Sequence, residues 1–196
     1  MQRQNQVDPE RRILTIPNIL SFFRILLIPV FIWLYVIRQE AGLAGCVLAL
    51  SGLTDIADGI IARRWHMTSD LGKILDPIAD KLTQAVVLFC FIAEYPWMLA
   101  PLLLMIVKEF CMAVTGGLAI RRTGRVFGAA WHGKLATALL YSTMLLHLFW
   151  ADISTGMSKS LAFVCTAFIT ISFILYMAQN LRLLRKSMDD GAPKNH

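Results

Sequence analysis

The sequence predicts an all-α, polytopic membrane protein with six transmembrane helices. Of its 196 residues, 57% are hydrophobic and only 16% are charged, whereas soluble domains average about 45–50% apolar and about 25% charged residues. The apolar residues form six runs, each near the ~20 residues that an α-helix needs to cross a bilayer. Lys and Arg are concentrated in alternate connections between these runs, as expected for a chain that crosses a membrane repeatedly.

The six predicted helices follow one another with short connections. They cover, in order, residues 17–37, 42–62, 72–93, 97–120, 135–151 and 161–181. We find no convincing internal repeat among them. The chain therefore divides into a juxtamembrane arm over residues 1–16, a six-helix membrane domain over residues 17–182, and a polar tail over residues 183–196.

The positions of Lys and Arg predict how the helices are oriented. These residues gather before the first helix, in the loops at 63–73 and 121–134, and after the last helix, whereas the opposite side carries only Arg38 and Lys159. Cytoplasmic loops carry the excess of Lys and Arg in membrane proteins. We therefore predict an integral protein of the plasma or inner membrane with both termini cytoplasmic. The N-terminal arm either lies along anionic lipid or is a simple charged flank.

Two other function classes are disfavoured by composition. The net charge of +6 would suit a nucleic-acid-binding protein, but the basic residues are scattered between apolar runs, so no nucleic-acid partner is expected. The four cysteines lie far apart inside the apolar runs and form no C-x-x-C pair. They are expected to be small buried residues rather than metal or redox groups.

Carboxylates inside two of the predicted helices are the strongest functional signal. Asp55 and Asp58 are spaced i, i+3 near the end of the second helix, and Asp76 and Asp80 are spaced i, i+4 near the start of the third. Each pair therefore shares one helix face. The two helices run antiparallel across a short cytoplasmic loop, so the four carboxylates can converge at one depth. Ionisable residues in such segments are costly and usually functional.

Carboxylates that converge in this way repel one another and need a cation nearby. Hard oxygen ligands suit Mg²⁺, Mn²⁺ or Ca²⁺, and a two-metal clamp on phosphate is a natural use of such a cluster. Alternatively, the aspartates pair with cationic side chains. The candidates for such ion pairs are Arg24, Arg63, Lys73 and Lys81. Spacing alone leaves both interpretations open.

The full pattern around the aspartates is more specific. It reads D-x-x-D-G-x-x-A-R, then eight residues, then G-x-x-x-D-x-x-x-D, with its fixed positions at Asp55, Asp58, Gly59, Ala62, Arg63, Gly72, Asp76 and Asp80. Eight fixed identities match by chance on the order of 10⁻¹⁰ per start position. The pattern resembles the signature of the CDP-alcohol phosphatidyltransferases. The six-helix layout is similar to that family over nearly the whole chain.

The resemblance implies an enzymatic activity. Members of this family are integral membrane enzymes, commonly homodimers, that use a CDP-linked lipid, usually CDP-diacylglycerol. An alcohol attacks the phosphate attached to the diacylglycerol, CMP leaves, and a divalent metal is required. By this resemblance Asp55, Asp58, Asp76 and Asp80 would coordinate Mg²⁺ or Mn²⁺. Asp80, one helical turn beyond Asp76, is our candidate for the general base.

The resemblance also implies that Asp58 and other signature residues bind the CDP and pyrophosphate groups of the substrate. Gly59, Ala62 and Gly72 would let the nucleotide approach the backbone, although close helix packing would also explain the two glycines. Arg63 would grip a phosphate, or it is an arginine whose side chain extends to the membrane surface from a helix end.

A polar stripe on the first helix extends the resemblance. Asn18, Ser21 and Arg24 recur every three residues in an otherwise apolar run. The stripe is similar to the P-N-x-x-T-x-x-R opening of phosphatidylglycerophosphate synthases and the related cardiolipin synthases, with Ser21 in place of Thr. All three residues are implied to bind the CDP-lipid. Arg24 is expected to face either the lipid pyrophosphate or the aspartate cluster.

The acceptor alcohol is less sharply indicated. Phosphatidylglycerophosphate synthases often carry an arginine where this chain has Thr115-Gly116-Gly117. We expect Lys134, with Arg121 and Arg125, to bind the acceptor phosphate instead, although the positive-inside rule would also explain the arginines. Glycerol 3-phosphate is the preferred acceptor, phosphatidylglycerol (a cardiolipin synthase) the alternative, and serine or inositol phosphate the third choice.

Two non-enzymatic functions, an ion transporter and a membrane scaffold, fit the sequence less well than an enzyme. In an ion transporter the buried carboxylates would carry ions, but transporters often show internal repeats and place charges near the middle of the membrane. In a membrane scaffold there would be no need for a complete set of signature residues.

Overall fold

The helices predicted from the apolar runs are all present. The structure, a computed structural model, describes residues 16–65, 70–123 and 131–190, and all regular structure within them is helical. Six long helices follow in chain order, with a π-helical turn over Trp33–Ile37 and a 3₁₀ turn over Pro96–Met98. They are α1 (Ile16–Ile32), α2 (Ala41–Trp65), α3 (Asp70–Phe91), α4 (Leu99–Thr123), α5 (Trp131–Phe149) and α6 (Thr155–Asp190). The all-α prediction is therefore confirmed.

Four segments of the described chain are long and apolar enough to cross a membrane. They are Asn18–Ile37, Ala41–Ile60, Pro96–Leu118 and Thr155–Arg182. These segments correspond to α1, α2, α4 and α6. Helix α3 is long enough at 22 residues but includes charged residues among DLGKILDPIADK, and α5 begins with the polar sequence WHGK. The two less apolar helices are thus those that carry predicted site residues in their first turns.

The ends of the helices differ from the predicted runs most clearly at α6. This helix spans 36 residues, Thr155–Asp190, so eight residues of the predicted tail are helical. Residues 183–190 contain neither Gly nor Pro, the residues that most often stop a helix. Residues 1–15 of the predicted arm and residues 191–196 of the predicted tail lie outside the described residues.

The first of two packing units comprises residues 1–93 and 144–152. Within it α1 packs along both α2 and α3. Its core includes Phe31, Leu48, Leu88 and Phe91, all nearly inaccessible to solvent. The end of α5 belongs to this unit, and Gly45 marks its close approach to α2. A Cβ atom on Gly45 would lie only 2.9 Å from Cζ of Phe149 and 3.2 Å from Cβ of Leu148.

The second packing unit comprises residues 94–143 and 153–196, in which α4 packs along α6. Polar contacts join α6 to the 3₁₀ turn before α4 and to α4 itself. The Trp97 Nε1–H donates a hydrogen bond of 2.8 Å to Ser158 Oγ. At the other end, Asn180 Nδ2 donates a bond of 2.9 Å to Thr115 Oγ1.

Candidate active site

The polar stripe of α1 is buried in the first packing unit. Asn18, Ser21 and Arg24 expose 5%, 0% and 0% of their surfaces. Because α1 packs along α2 and α3, partners for the stripe come from these two helices. A buried arginine is costly unless it is paired and hydrogen-bonded. We therefore expect negatively charged or hydrogen-bonding groups around Arg24.

Arg24 binds three of the four signature aspartates. Its Nη1 donates a hydrogen bond to Asp55 and its Nη2 donates one to Asp58, both on α2. The same Nη2 lies 3.4 Å from Oδ1 of Asp76 on α3. One guanidinium therefore gathers carboxylates from two helices. Of the two expectations for Arg24, the structure supports the one in which it faces the aspartate cluster.

Ser21 adds a second link between α1 and α3. Its hydroxyl donates a hydrogen bond to Oδ1 of Asp76, and Arg24 Nη2 lies 3.4 Å from Ser21 Oγ. The hydroxyl of Ser21, which a threonine at this position would also provide, is thus the group that contacts the aspartate cluster. Asn18 is buried in the same stripe one turn earlier.

Asp80, the proposed base, has different neighbours. Gln84 Nε2 lies 2.9 Å from Oδ1 and 3.0 Å from Oδ2 of Asp80, and Lys81 Nζ lies 3.3 Å from Oδ2. Asp80 is still close enough to Asp55 for the two carboxylates to repel each other. The sequence reasoning missed Gln84, although its spacing of i, i+4 from Asp80 is a helical contact spacing.

The cluster is buried on one side and accessible on the other. The side chains of Arg24 and Asp58 are 0% and 4% exposed. In contrast, Asp76 and Asp55 are 35% and 43% exposed. A ligand that approaches from outside the unit would therefore meet Asp55 and Asp76 first, with Arg24 and Asp58 behind them.

The predicted metal site can be compared with this geometry. Within residues 16–65, 70–123 and 131–190, no three His, Cys, Asp or Glu side chains are placed as metal ligands. Arg24 lies between three of the carboxylates instead, as in the ion-pair alternative. Among the described groups, four carboxylates face two cations, Arg24 and Lys81, and a carboxylate has two acceptor oxygens. The side chains of Arg63 and Lys73, the other candidate ion-pair partners, lie outside the described ones. Carboxylate oxygens suit Mg²⁺ or Mn²⁺, so the metal stays a prediction.

Gly59 and Gly72, the two glycines of the signature, lie in different surroundings. On α2, no described atom lies within 4 Å of the place where a Cβ of Gly59 would stand. No described helix therefore packs closely against Gly59, and its role in the approach of the nucleotide stays a prediction. Gly72, on α3, is buried. Ala62 and Arg63 belong to α2, but their side chains lie outside the described ones.

The predicted acceptor residues belong to the second packing unit. Lys134 is exposed in the first turn of α5. Arg121 lies near the end of α4 with its side chain outside the description, and Arg125 lies outside the described residues. No described atom lies within 4 Å of a Cβ built on Gly116 or Gly117.

Comparison with known proteins gives the family. The model of the CDP-alcohol phosphatidyltransferase family matches residues 14–179. The chain is 36% identical to a protein of Streptomyces coelicolor named cardiolipin synthase (CMP-forming), over 89% of this chain and 86% of that relative. It is 30% identical to a probable phosphatidylglycerophosphate synthase of Mycobacterium tuberculosis, over 90% of this chain and 87% of the relative.

A human protein named cardiolipin synthase (CMP-forming) is 37% identical over 67% of this chain and 44% of its own length. The matched range 14–179 contains the complete aspartate signature and the polar stripe of α1. The chain therefore belongs to the CDP-alcohol phosphatidyltransferase family, and it is a membrane transferase of phospholipid biosynthesis.

Proposed function

We propose that this enzyme transfers the phosphatidyl group of CDP-diacylglycerol to a hydroxyl of glycerol 3-phosphate and releases CMP. The observation that carries the proposal is the cluster in which Arg24 gathers Asp55, Asp58 and Asp76, since these are signature residues of the family. The relative named as a probable phosphatidylglycerophosphate synthase supports this acceptor.

The chemistry follows from the groups present. Asp80 accepts the proton of the attacking hydroxyl, whose oxygen then bonds to the phosphorus next to diacylglycerol. The bond from that phosphorus to the oxygen of the CMP phosphate breaks, and CMP leaves with the electron pair. Asp55, Asp58, Asp76 and Asp80 would hold a divalent ion, which would supply positive charge against the pyrophosphate oxygens when bound.

Arg24 has a preparatory role in this proposal. Its buried guanidinium holds carboxylates of α2 and α3 together before any ligand arrives. A site assembled in advance costs less to organise when the substrate binds. Ser21 fixes Asp76 from the same helix, so α1 acts as the support for both halves of the signature.

The remaining substrate contacts are proposed from the signature. The open space beside Gly59 would accept the nucleotide, together with Ala62, Arg63 and Gly72. The stripe residue Asn18 would contribute to the same CDP-lipid site. The phosphate of the acceptor would bind to Lys134, Arg121 and Arg125, whose positive charges suit a phosphate monoester.

A second acceptor, phosphatidylglycerol, is favoured by two observations. The relatives from Streptomyces coelicolor and human, at 36% and 37% identity, are named cardiolipin synthases. The position of the expected arginine is occupied by Gly116-Gly117. Both acceptors offer a glycerol hydroxyl, but phosphatidylglycerol carries a phosphate diester, which requires fewer cationic contacts.

We also propose where the enzyme works and in what state. The Lys and Arg residues favour a cytoplasmic active site in the plasma or inner membrane. The homodimer that the family resemblance implies is part of this proposal. Cross-linking in native membranes should yield a dimer-sized product if the proposal is correct and only monomer if it is not.

The acceptor panel tests the proposed function. Purified enzyme is given CDP-diacylglycerol and Mg²⁺ or Mn²⁺, with glycerol 3-phosphate, phosphatidylglycerol, serine or inositol phosphate offered separately. We expect CMP release with glycerol 3-phosphate and its loss when a chelator removes the metal. CMP release with phosphatidylglycerol alone would establish the second acceptor. No CMP with any acceptor would refute the proposal, and an Asp58→Asn preparation controls for contaminating enzymes.

A further inference from the structure

Gln84 is a buried polar residue that belongs to no signature position. It lies on α3 one turn after Asp80, and its exposed fraction is 0%. Burying an amide without hydrogen-bond partners is costly, so its partners are informative. Its Nε2 lies 2.9 Å and 3.0 Å from the two carboxylate oxygens of Asp80. A single amide nitrogen therefore contacts both oxygens of the proposed base.

Lys81 completes a triangle with these two residues. Its Nζ lies 3.3 Å from Oε1 of Gln84 and 3.3 Å from Oδ2 of Asp80. The ammonium group can only donate, and an ionised carboxylate can only accept. The amide must therefore point its oxygen to Lys81 and its nitrogen to Asp80, because the reverse orientation would place two acceptors, or two donors, face to face.

We propose that Gln84 is a positioning residue that sets the orientation of the Asp80 carboxylate for proton transfer. This inference rests on the proposed function, in which Asp80 accepts the proton of the acceptor hydroxyl. Gln84 acts on Asp80 in two ways. Its NH₂ group holds both carboxylate oxygens and so fixes the rotation of the carboxylate, and its carbonyl oxygen shares the ammonium group of Lys81.

The contact with Lys81 supports the same role. The amide oxygen of Gln84 lies 3.3 Å from Nζ of Lys81, and this contact fixes which end of the amide faces Asp80. Gln–Asp pairs at i, i+4 occur on ordinary helix surfaces, where they stabilise a helix slightly. Here the amide is fully buried beside a signature carboxylate, which suits a role in orientation.

The test replaces Gln84 with residues that keep its size. Gln84→Met removes both donors and the acceptor, and we expect kcat to fall about 10- to 100-fold while KM for CDP-diacylglycerol changes less than about threefold. Gln84→Glu keeps the approximate shape of the side chain and an acceptor for Lys81, so it is the second variant measured. Its carboxylate repels that of Asp80, and we expect at least as large a loss of kcat.

Thr83→Val is the matched control. Thr83 is a buried polar residue next to Gln84, but its hydroxyl bonds to the carbonyl oxygen of Ala79 in its own helix, at 2.9 Å. We expect this variant to keep the wild-type kcat. Melting temperatures in detergent accompany each measurement, so that loss of fold is separated from loss of orientation.

The outcomes separate this inference from the function on which it rests. Wild-type enzyme that releases no CMP refutes the proposed function. Active wild-type enzyme with Gln84 variants that fold and keep the wild-type kcat overturns the role of Gln84 and leaves the function intact. A loss of kcat in Thr83→Val equal to that in the Gln84 variants would also overturn it, because the effect would then be structural.

Discussion

Arg24 supports the site more directly than any single aspartate, because its guanidinium group contacts three of them. The pattern of aspartates and the polar stripe of α1 could both be recognised from the sequence. Spacing shows which residues share a helix face, but it does not show which side chain fills the space between two faces. For that reason the cation between the aspartates stayed undecided, and Gln84 was not singled out.

At the residue scale, Arg24→Met should destabilise the protein strongly. Asp58 is almost fully buried beside Arg24, and breaking a buried ion pair by removing one partner costs about 3–5 kcal/mol. Unfolding in detergent, followed by tryptophan fluorescence, measures the loss.

The matched control is Arg38→Met. Arg38 pairs with Glu40 at 3.3 Å with both side chains exposed, and exposed pairs contribute about 0–1 kcal/mol. Equal stability of the Arg24 and Arg38 variants would contradict the central position of Arg24.

Ser21 gives a prediction about activity rather than stability. Ser21→Ala removes the hydroxyl that donates to Asp76, and a hydrogen bond to a charged group contributes about 1.5–3 kcal/mol. We expect a loss of turnover of about tenfold or more. Ser21→Thr keeps the hydroxyl and should retain activity. The hydroxyl has no role in catalysis if the Ala and Thr variants release CMP at the same rate.

At the scale of elements, the apolar runs predicted six helices, and six are found. Helix ends were less predictable: α6 continues to Asp190 because nothing in its polar last turns stops a helix. A hydropathy average also does not distinguish charged residues that form a site from charged residues that face solvent. Three of the charged residues that make α3 a poor span by composition, Asp76, Asp80 and Lys81, contact Arg24 or Gln84, so the low hydropathy of this helix partly reflects the site.

Gly45 tests the packing of α5 against α2. Gly45→Leu would place a side chain where Phe149 and Leu148 already lie within 3.2 Å of the added Cβ. Overpacking of this kind costs about 1–3 kcal/mol, so the melting temperature should fall.

Gly42→Leu, near the start of the same helix, provides the comparison. No described atom lies within 4 Å of a Cβ at that position, so this variant should melt near the wild-type temperature. If the two variants have the same melting temperature, the end of α5 does not lie close to Gly45 in the protein.

At the scale of the whole molecule, the family follows from the sequence because its signature is local: eight positions lie within 26 residues, from Asp55 to Asp80. The acceptor does not follow, because the residues proposed to bind it are dispersed along the sequence from Arg121 to Lys134, outside the signature. Relatives of similar identity carry the names of two different synthases. Substrate choice therefore needs an experiment.

The orientation in the membrane can be tested on the intact cell. In a cysteine-free variant, Ala151→Cys lies at the end of the fifth predicted helix that faces outside, and Lys194→Cys lies in the predicted cytoplasmic tail. A thiol reagent that does not cross membranes should label position 151 in intact cells and position 194 only after permeabilisation. The reverse pattern would invert the predicted topology.

We propose that the aspartates gathered on α2 and α3 carry out phosphatidyl transfer, with Asp80 as the base. The most direct test measures CMP release from CDP-diacylglycerol by the wild-type enzyme and by Asp80→Asn, with glycerol 3-phosphate and phosphatidylglycerol as acceptors. Loss of a general base lowers turnover by about 10²–10⁴-fold, so we expect that loss with an unchanged melting temperature. Wild-type turnover by a folded Asp80→Asn enzyme would contradict the claim.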